Sequence, residues 1–396
     1  MYDAIIVGAR CAGSPTALLL ARAGRRVLVL ERATFPRDTL STHYLHLPAV
    51  ARLADWGVLE QLQATGCPPM PDTRYEVSDV TLFGGAPPYR GQAAAYAPRR
   101  QVLDGLLAKA AAEAGAEIRE GCTLTGLLRD DSGRVTGVEY RVGGESGAVR
   151  REHAALVIGA DGMRSSVARL AGAAVTSSDP KQTCAYYSYW QGLPSGFELY
   201  ERPGRWVGAL RTHDEATLVV TYFPQHEFSR VRADTEAAYL ENVRTTAPGL
   251  YERLADARRV ERFYGSADQQ NFFRQAAGPG WALVGDAGHH KDSITARGIT
   301  DAFFQAELLA ESVKQVLDDP VRLDLALRRY GKERDAALDP VYQGTLVVAQ
   351  LAVQQDRLAV LRAISQDQEL TDRYFATVAG VLSPEELYTP ELLGAL

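Results

Sequence analysis

The chain has 396 residues, a formal net charge of -6, 46% hydrophobic residues and 23% charged residues. Those values suit a soluble protein of two packed domains. They exclude the strongly basic balance expected of a nucleic-acid or anionic-membrane binder.

The first element expected is a strand at Ala4–Val7, a continuous apolar run suited to a parallel strand buried on both faces. It enters a Gly8-Ala9-Arg10-Cys11-Ala12-Gly13 turn, a helix over 12–23 closed by Gly24, and a second strand over Val27–Leu30. This is a βαβ unit carrying GxGxxG, with Arg10 at the second glycine. Gly8 permits the tight turn, and Gly13 lets the helix pack close to the sheet. The free N–H groups of the helix start, around Ala12, face a pyrophosphate. Glu31 and Arg32 follow the second strand, and an acid there suits ribose hydroxyls. No charged-then-apolar leader precedes the strand and no apolar run is long enough to span a bilayer, so the expectation is a cytoplasmic protein with no membrane partner.

Further along, a helical period runs from Val50 to Gln63, and strands with turns are expected from Tyr75 to Tyr96. A helix over 103–114 precedes a strand meander over 118–142 and a buried strand at Leu156–Gly159. Between Thr183 and Phe263 the pattern is mostly strands with one helix near 235–244, which predicts a second, antiparallel sheet. A buried strand at Trp281–Gly285 and a helix over 298–316 return to the style of the first domain. From Val341 onward the apolar spacing is helical. The fold class expected is α/β, α+β overall: a Rossmann-like domain from 1–75, 95–180 and 264–340, an interleaved sheet domain from 76–94 and 181–263, and a helical segment over 341–396.

Two later segments repeat the pattern of an acid just past a strand end: Gly159-Ala160-Asp161-Gly162 and Gly285-Asp286-Ala287. With the N-terminal turn, they resemble the three fingerprints of the FAD-dependent monooxygenase superfamily with the p-hydroxybenzoate-hydroxylase fold. That superfamily includes aromatic hydroxylases, geranylgeranyl reductases and flavin-dependent halogenases. The resemblance covers roughly residues 1–340. It implies that Gly8, Gly13 and Glu31 hold the ADP half of FAD, that Arg100 approaches the phosphates, that Asp161 and Gly162 form the DG motif, and that Asp286 binds the ribitol–pyrophosphate region.

The turn Ala296-Arg297-Gly298-Ile299 opens a helix whose N–H groups should face the flavin edge that becomes negative on reduction, with Arg297 or Lys291 adding positive charge. Ser293 stands where the superfamily usually has proline. His43, in Asp38–Tyr44, is a candidate acid or base beside the flavin, or a hydrogen-bonded structural histidine. Adjacent His289 and His290 are read as loop or packing residues near the FAD, with no metal site.

Tyr187, Tyr189, Trp190 and Tyr222 are candidate substrate contacts, suited to an aromatic or polycyclic small molecule. Alternation turns Tyr187 and Tyr189 to one face and Tyr186, Ser188 and Trp190 to the other. The WxWxIP element and catalytic lysine of the halogenase branch are not found, and Tyr187–Gln191 does not match the YxWxFP-like element of reductases. The function expected is an FAD monooxygenase using NAD(P)H and O2 through a flavin C4a-hydroperoxide. The alternatives are a reductase or dehydrogenase without oxygen insertion, and a flavin-binding protein without turnover. The chain is expected to act as a monomer or homodimer.

Overall fold

The computed structural model describes residues 1–144, 147–390 and 392. Its first sheet runs in the order 277–278, Trp281–Leu283, Ala148–Gly159, Tyr2–Val7, Val27–Leu30, Glu117–Arg119. All neighbours after the first strand are parallel, while 277–278 is an antiparallel edge. Ile5 and Ile6 on opposite faces of Tyr2–Val7 are both fully buried, as the unbroken apolar run requires. The helices Gly13–Arg22, Arg100–Glu113 and Gly298–Val313 cover one face, with Leu18, Leu107 and Phe303 in its core. The other face packs on the meander Cys122–Arg129 and Val135–Val142. Strand Ala148–Gly159 serves both: its first half pairs antiparallel with the meander, its second half parallel with Tyr2–Val7.

The second sheet runs 258–259, Thr183–Gln191, Ala216–Pro224, Arg205–Arg211, Phe197–Arg202, Thr73–Val77, Val80–Gly84. It is antiparallel except between Phe197–Arg202 and Thr73–Val77. Its inner face carries Tyr187, Tyr189, Trp206 and Tyr222. Its outer face carries Tyr186, Trp190 and Phe223, packed against Tyr239 and Leu250 of two helices. Three helices occupy this block, Phe228–Ala233, Thr235–Thr246 and Pro248–Leu254, where the sequence pattern predicts one.

Three expected boundaries move. Strand Tyr264–Ser266, expected in the first domain, pairs antiparallel with Thr183–Gln191 and so joins the second sheet. Strand Thr73–Val77 crosses the boundary at residue 75 and belongs wholly to the second sheet, because its register with Phe197–Arg202 continues through it. Helix Pro320–Ala349 runs unbroken across the boundary at 340–341. It is tied to the first domain by the Tyr330 hydroxyl, which donates to Leu283 O at 2.7 Å. Helices Gln355–Ile364 and Gln368–Ala379 then pack on the edge of the second sheet through Leu361 and Phe375 against Tyr75 and Leu82. The expected helical segment also includes residue 391 and residues 393–396, which lie outside the described residues. No helix among the described residues is long and apolar enough to cross a membrane.

Candidate active site

A cleft of about 940 Å³ runs along the carboxyl ends of the parallel strands. That is where open α/β sheets bind ligands, since the strand ends and helix starts leave backbone donors unpaired. Of the residues singled out from sequence, Gly8, Arg10, Ala12, Glu31, Arg32, His43, Arg100, Asp161, Gly162, Tyr187, Tyr222, Gly285, Asp286, Gly298 and Ile299 line it. Gly13 stands just behind. A Cβ on Gly13 would lie 1.8 Å from Gly8 O, and one on Gly8, at φ +104°, would lie 2.4 Å from Ala160 O. The turn therefore tolerates no side chain at either position. Helices Gly13–Arg22 and Gly298–Val313 both begin without a side-chain cap. Their first N–H groups are left for an external acceptor.

Glu31 is buried at the end of its strand. One carboxylate oxygen accepts the Ala9 N–H at 2.9 Å and the other the Ala33 N–H at 2.8 Å. Arg10 and Arg100 meet on a residue that sequence reasoning missed. Asp104, fully buried one turn along from Arg100, takes Arg10 Nη1 at 3.3 Å and Arg100 Nε and Nη2 at 3.1 Å each. The i,i+4 spacing of Arg100 and Asp104 was the available signal. Two guanidiniums on one carboxylate leave a net positive charge beside the cradle. Asp161 accepts the Ser166 N–H at 2.6 Å at the start of the short helix Ser166–Ala171, whose cap is Ser165. Burial pushes its carboxyl up.

At the other end of the cleft, Lys291 and Asp301 form a buried ion pair, with Arg297 Nε 3.7 Å from the second Asp301 oxygen. Burial pushes the Asp301 carboxyl up, but Lys291 and Arg297 outweigh it and hold the group below the usual carboxylate range. His43 is fully buried at φ +67°, its Nε2 hydrogen-bonded to the Tyr189 hydroxyl. Burial and then Arg99 push the imidazole well below its ordinary value, so it stays neutral near pH 7. Arg99 lies over the Tyr189 ring at 4.0 Å and holds Asp38 and Glu261. Tyr189 thus backs the cleft wall and is absent from its lining.

Three placements correct the sequence reading, the first being Tyr189, which lines neither the cleft nor the chamber beside it. Trp190 is on the outer face, its indole N–H donating to the Tyr239 hydroxyl at 3.1 Å, because the helices over 235–254 cover that face. It cannot touch a ligand in the cleft. Arg297 sits in the expected turn, but its guanidinium points away from the cleft and donates to Ala379 O at 2.6 Å and Val378 O at 3.4 Å. His289 packs on Phe273 and Tyr342, and His290 binds Gln270 O. Among the described residues no three His, Cys, Asp or Glu side chains are grouped to hold a metal ion.

A second chamber, about 350 Å³ in volume, adjoins the cleft. The two share Thr42, Tyr44, Val220, Tyr222, Ser293 and Ala296. Its other walls are mostly apolar: Phe197, Trp206 and Leu210 from the sheet, and Phe375, Val378 and Leu382 from the C-terminal segment.

The side-chain-free glycine turn, the uncapped helix starts, the buried ribose-side acid and the paired arginines fit a flavin dinucleotide, and define an FAD-dependent oxidoreductase. The chain belongs to the FAD binding domain family, which matches residues 1–345. It is 25% identical over 387 residues to digeranylgeranylglycerophospholipid reductase 1 of Methanopyrus kandleri, covering 94% of this chain and 96% of that one. Its fold is similar to that of the flavin-dependent brominase Bmp2, with a TM-score of 0.82 at 19% identity over 100% of this chain and 97% of that chain. It is also similar to PqsL from Pseudomonas aeruginosa, a probable FAD-dependent monooxygenase, with a TM-score of 0.70 at 20% identity over 95% and 99% of the chains. The chain is thus an FAD-dependent enzyme of the superfamily that contains monooxygenases, halogenases and geranylgeranyl reductases.

Proposed function

We propose that this enzyme is a monooxygenase that places one oxygen atom of O2 on an aromatic or polycyclic small molecule, with NAD(P)H as reductant. The other oxygen leaves as water, and NAD(P)H supplies the two electrons. The observation that carries this reading is the apolar chamber sharing a wall with the FAD cleft. Bound FAD supplies the redox and oxygen-transfer chemistry.

The chain's own residues supply position and a dry environment. Gly8, Ala12, Glu31, Arg10 and Arg100 hold the ADP half, and Asp286 with the start of helix Gly298–Val313 holds the flavin half. Lys291, its ammonium paired with Asp301, lines the cleft close to that helix start. Tyr44, Phe197, Trp206 and Tyr222 present ring faces and edges to an aromatic substrate and exclude water around it. His43, neutral and tied to Tyr189, acts as a positioning residue rather than a proton reservoir. The described residues carry no separate nicotinamide domain, so the reductant binds transiently or a partner delivers the electrons.

The test is turnover of the FAD-loaded enzyme with naphthols and NAD(P)H under isotopically labelled O2. Label in the product supports the reading, and product without label ends it. A reductase reading draws on the Methanopyrus relative, which spans nearly the full length of both chains. Turnover that survives removal of O2 selects that reading instead.

A further inference from the structure

We infer that the chamber takes an organic anion, an apolar ring compound bearing one acidic oxygen group, and that Arg297 selects that group. The inference rests on the chamber being the substrate site. It concerns what binds there, whichever reaction follows.

The charge distribution carries it. Among the described residues that line the chamber there is no Asp or Glu, but there are two arginines, Arg297 and Arg357. Arg357 is compensated within the protein: Nη1 and Nη2 donate to the two oxygens of buried Glu201 at 2.7 and 3.0 Å. Arg297 is not. The one carboxylate near it among the described residues, Asp301, is already bound to Lys291, and Arg297 Nε stands 3.7 Å from it. Two cations therefore share one anion. His46, also in the wall, adds no charge, since burial holds it down at about 3. The result is one uncompensated positive charge in a largely apolar wall.

Of the five N–H donors of Arg297, two are used. Nη1 serves the carbonyls of Val378 and Ala379. Among the described residues nothing accepts a hydrogen bond from Nη2, and Nε is buried without a partner. A guanidinium with spare donors beside a cavity can take an anion, and its planar fork matches a carboxylate. Gly380 lets the guanidinium lie flat against the chain: a Cβ there would stand 2.4 Å from Arg297 Nη1 and 2.7 Å from Nη2. The competing explanation is that Arg297 merely pins the end of helix Gln368–Ala379. A pin would hold the chamber together for any ligand, charged or neutral.

The experiment separates the two. Naphthoate and its neutral isostere naphthamide are titrated into the FAD-loaded protein without reductant, following the flavin absorbance, with naphthol above and below its own ionisation as a third arm. Naphthoate is expected to bind at least about tenfold more tightly than naphthamide, as a charge-assisted hydrogen bond implies. Arg297→Gln is expected to remove that preference and leave naphthamide unchanged, while Arg297→Lys restores part of it. A preference for naphtholate over naphthoate names a phenolate as the acidic group; the reverse names a carboxylate. Equal binding of acid and amide, a loss in Arg297→Gln shared by both, or no binding of either overturns the inference. Because no turnover is involved, an unlabelled product in the oxygen experiment leaves this result untouched.

Discussion

The Tyr222 hydroxyl lies 2.8 Å from Ser293 Oγ, and this pair joins the second sheet to the loop that shapes the flavin end of the cleft. Both residues line both cavities, so the bond stands in the partition between cofactor and chamber. The Ser293 N–H is engaged too, donating to Gln269 Oε1 at 3.1 Å. A serine here holds the loop through two hydrogen bonds, where the superfamily pattern holds it with a proline ring. Ser293→Pro removes the N–H donor and the hydroxyl, and leaves buried Gln269 Oε1 and the buried Tyr222 hydroxyl without these partners. It is expected to cost about 1–3 kcal/mol in urea unfolding, even though it restores the family residue. A variant as stable as the parent would contradict this account of the loop.

The two glycines of the first helix–turn unit should behave differently. Gly8→Ala places a Cβ 2.4 Å from a backbone oxygen. The expected outcome is a protein that no longer retains flavin absorbance after gel filtration. Gly24, at φ +78°, has no atom within 4 Å of a built Cβ. Gly24→Ala meets only the left-handed backbone penalty of about 1–2 kcal/mol, and should melt lower while keeping its full complement of FAD. Equal FAD retention in the two variants would remove the steric argument for the cradle.

Asp292 gives the stability a pH dependence of definite sign. Burial pushes its carboxyl up to about 6, against the Thr183 hydroxyl and the Ile294 N–H that hydrogen-bond it. The unfolded group titrates at about 3.9. Between about pH 4 and pH 6 the native state therefore binds the extra proton, and stability falls as pH rises through that window. Asp292→Asn does not titrate. The parent should gain melting temperature relative to Asp292→Asn as the pH is lowered from about 7 to about 4. A difference independent of pH would show that the buried carboxyl titrates normally.

Trp190 is expected to matter for stability and not for binding. Trp190→Phe loses the indole N–H bond to Tyr239, at a cost of about 1 kcal/mol. Flavin retention and naphthoate affinity should be unchanged, because the side chain is on the far side of the sheet. A changed affinity with an unchanged melt would put it back in the site.

The sequence alone was enough for features set by neighbours in the chain. The strand Val27–Leu30, the glycine turn and the alternation of Tyr187 with Trp190 depend on local sterics and on side-chain periods, and these are written in consecutive residues. Arg100 and Asp104 were within the same reach, one helical turn apart. Which face of a strand meets the cofactor is a different matter. It was decided by helices some fifty residues downstream that cover Trp190 and leave Tyr187 facing the cleft. Arg297 shows the same division. Its place at the start of a helix could be read locally, but the direction of its guanidinium follows from the carbonyls of Val378 and Ala379. The chamber draws its walls from Thr42 through Pro384. A cavity is what remains after distant elements have packed, so only the tertiary structure, which minimises buried unpaired groups and empty volume over the whole chain at once, determines where it lies.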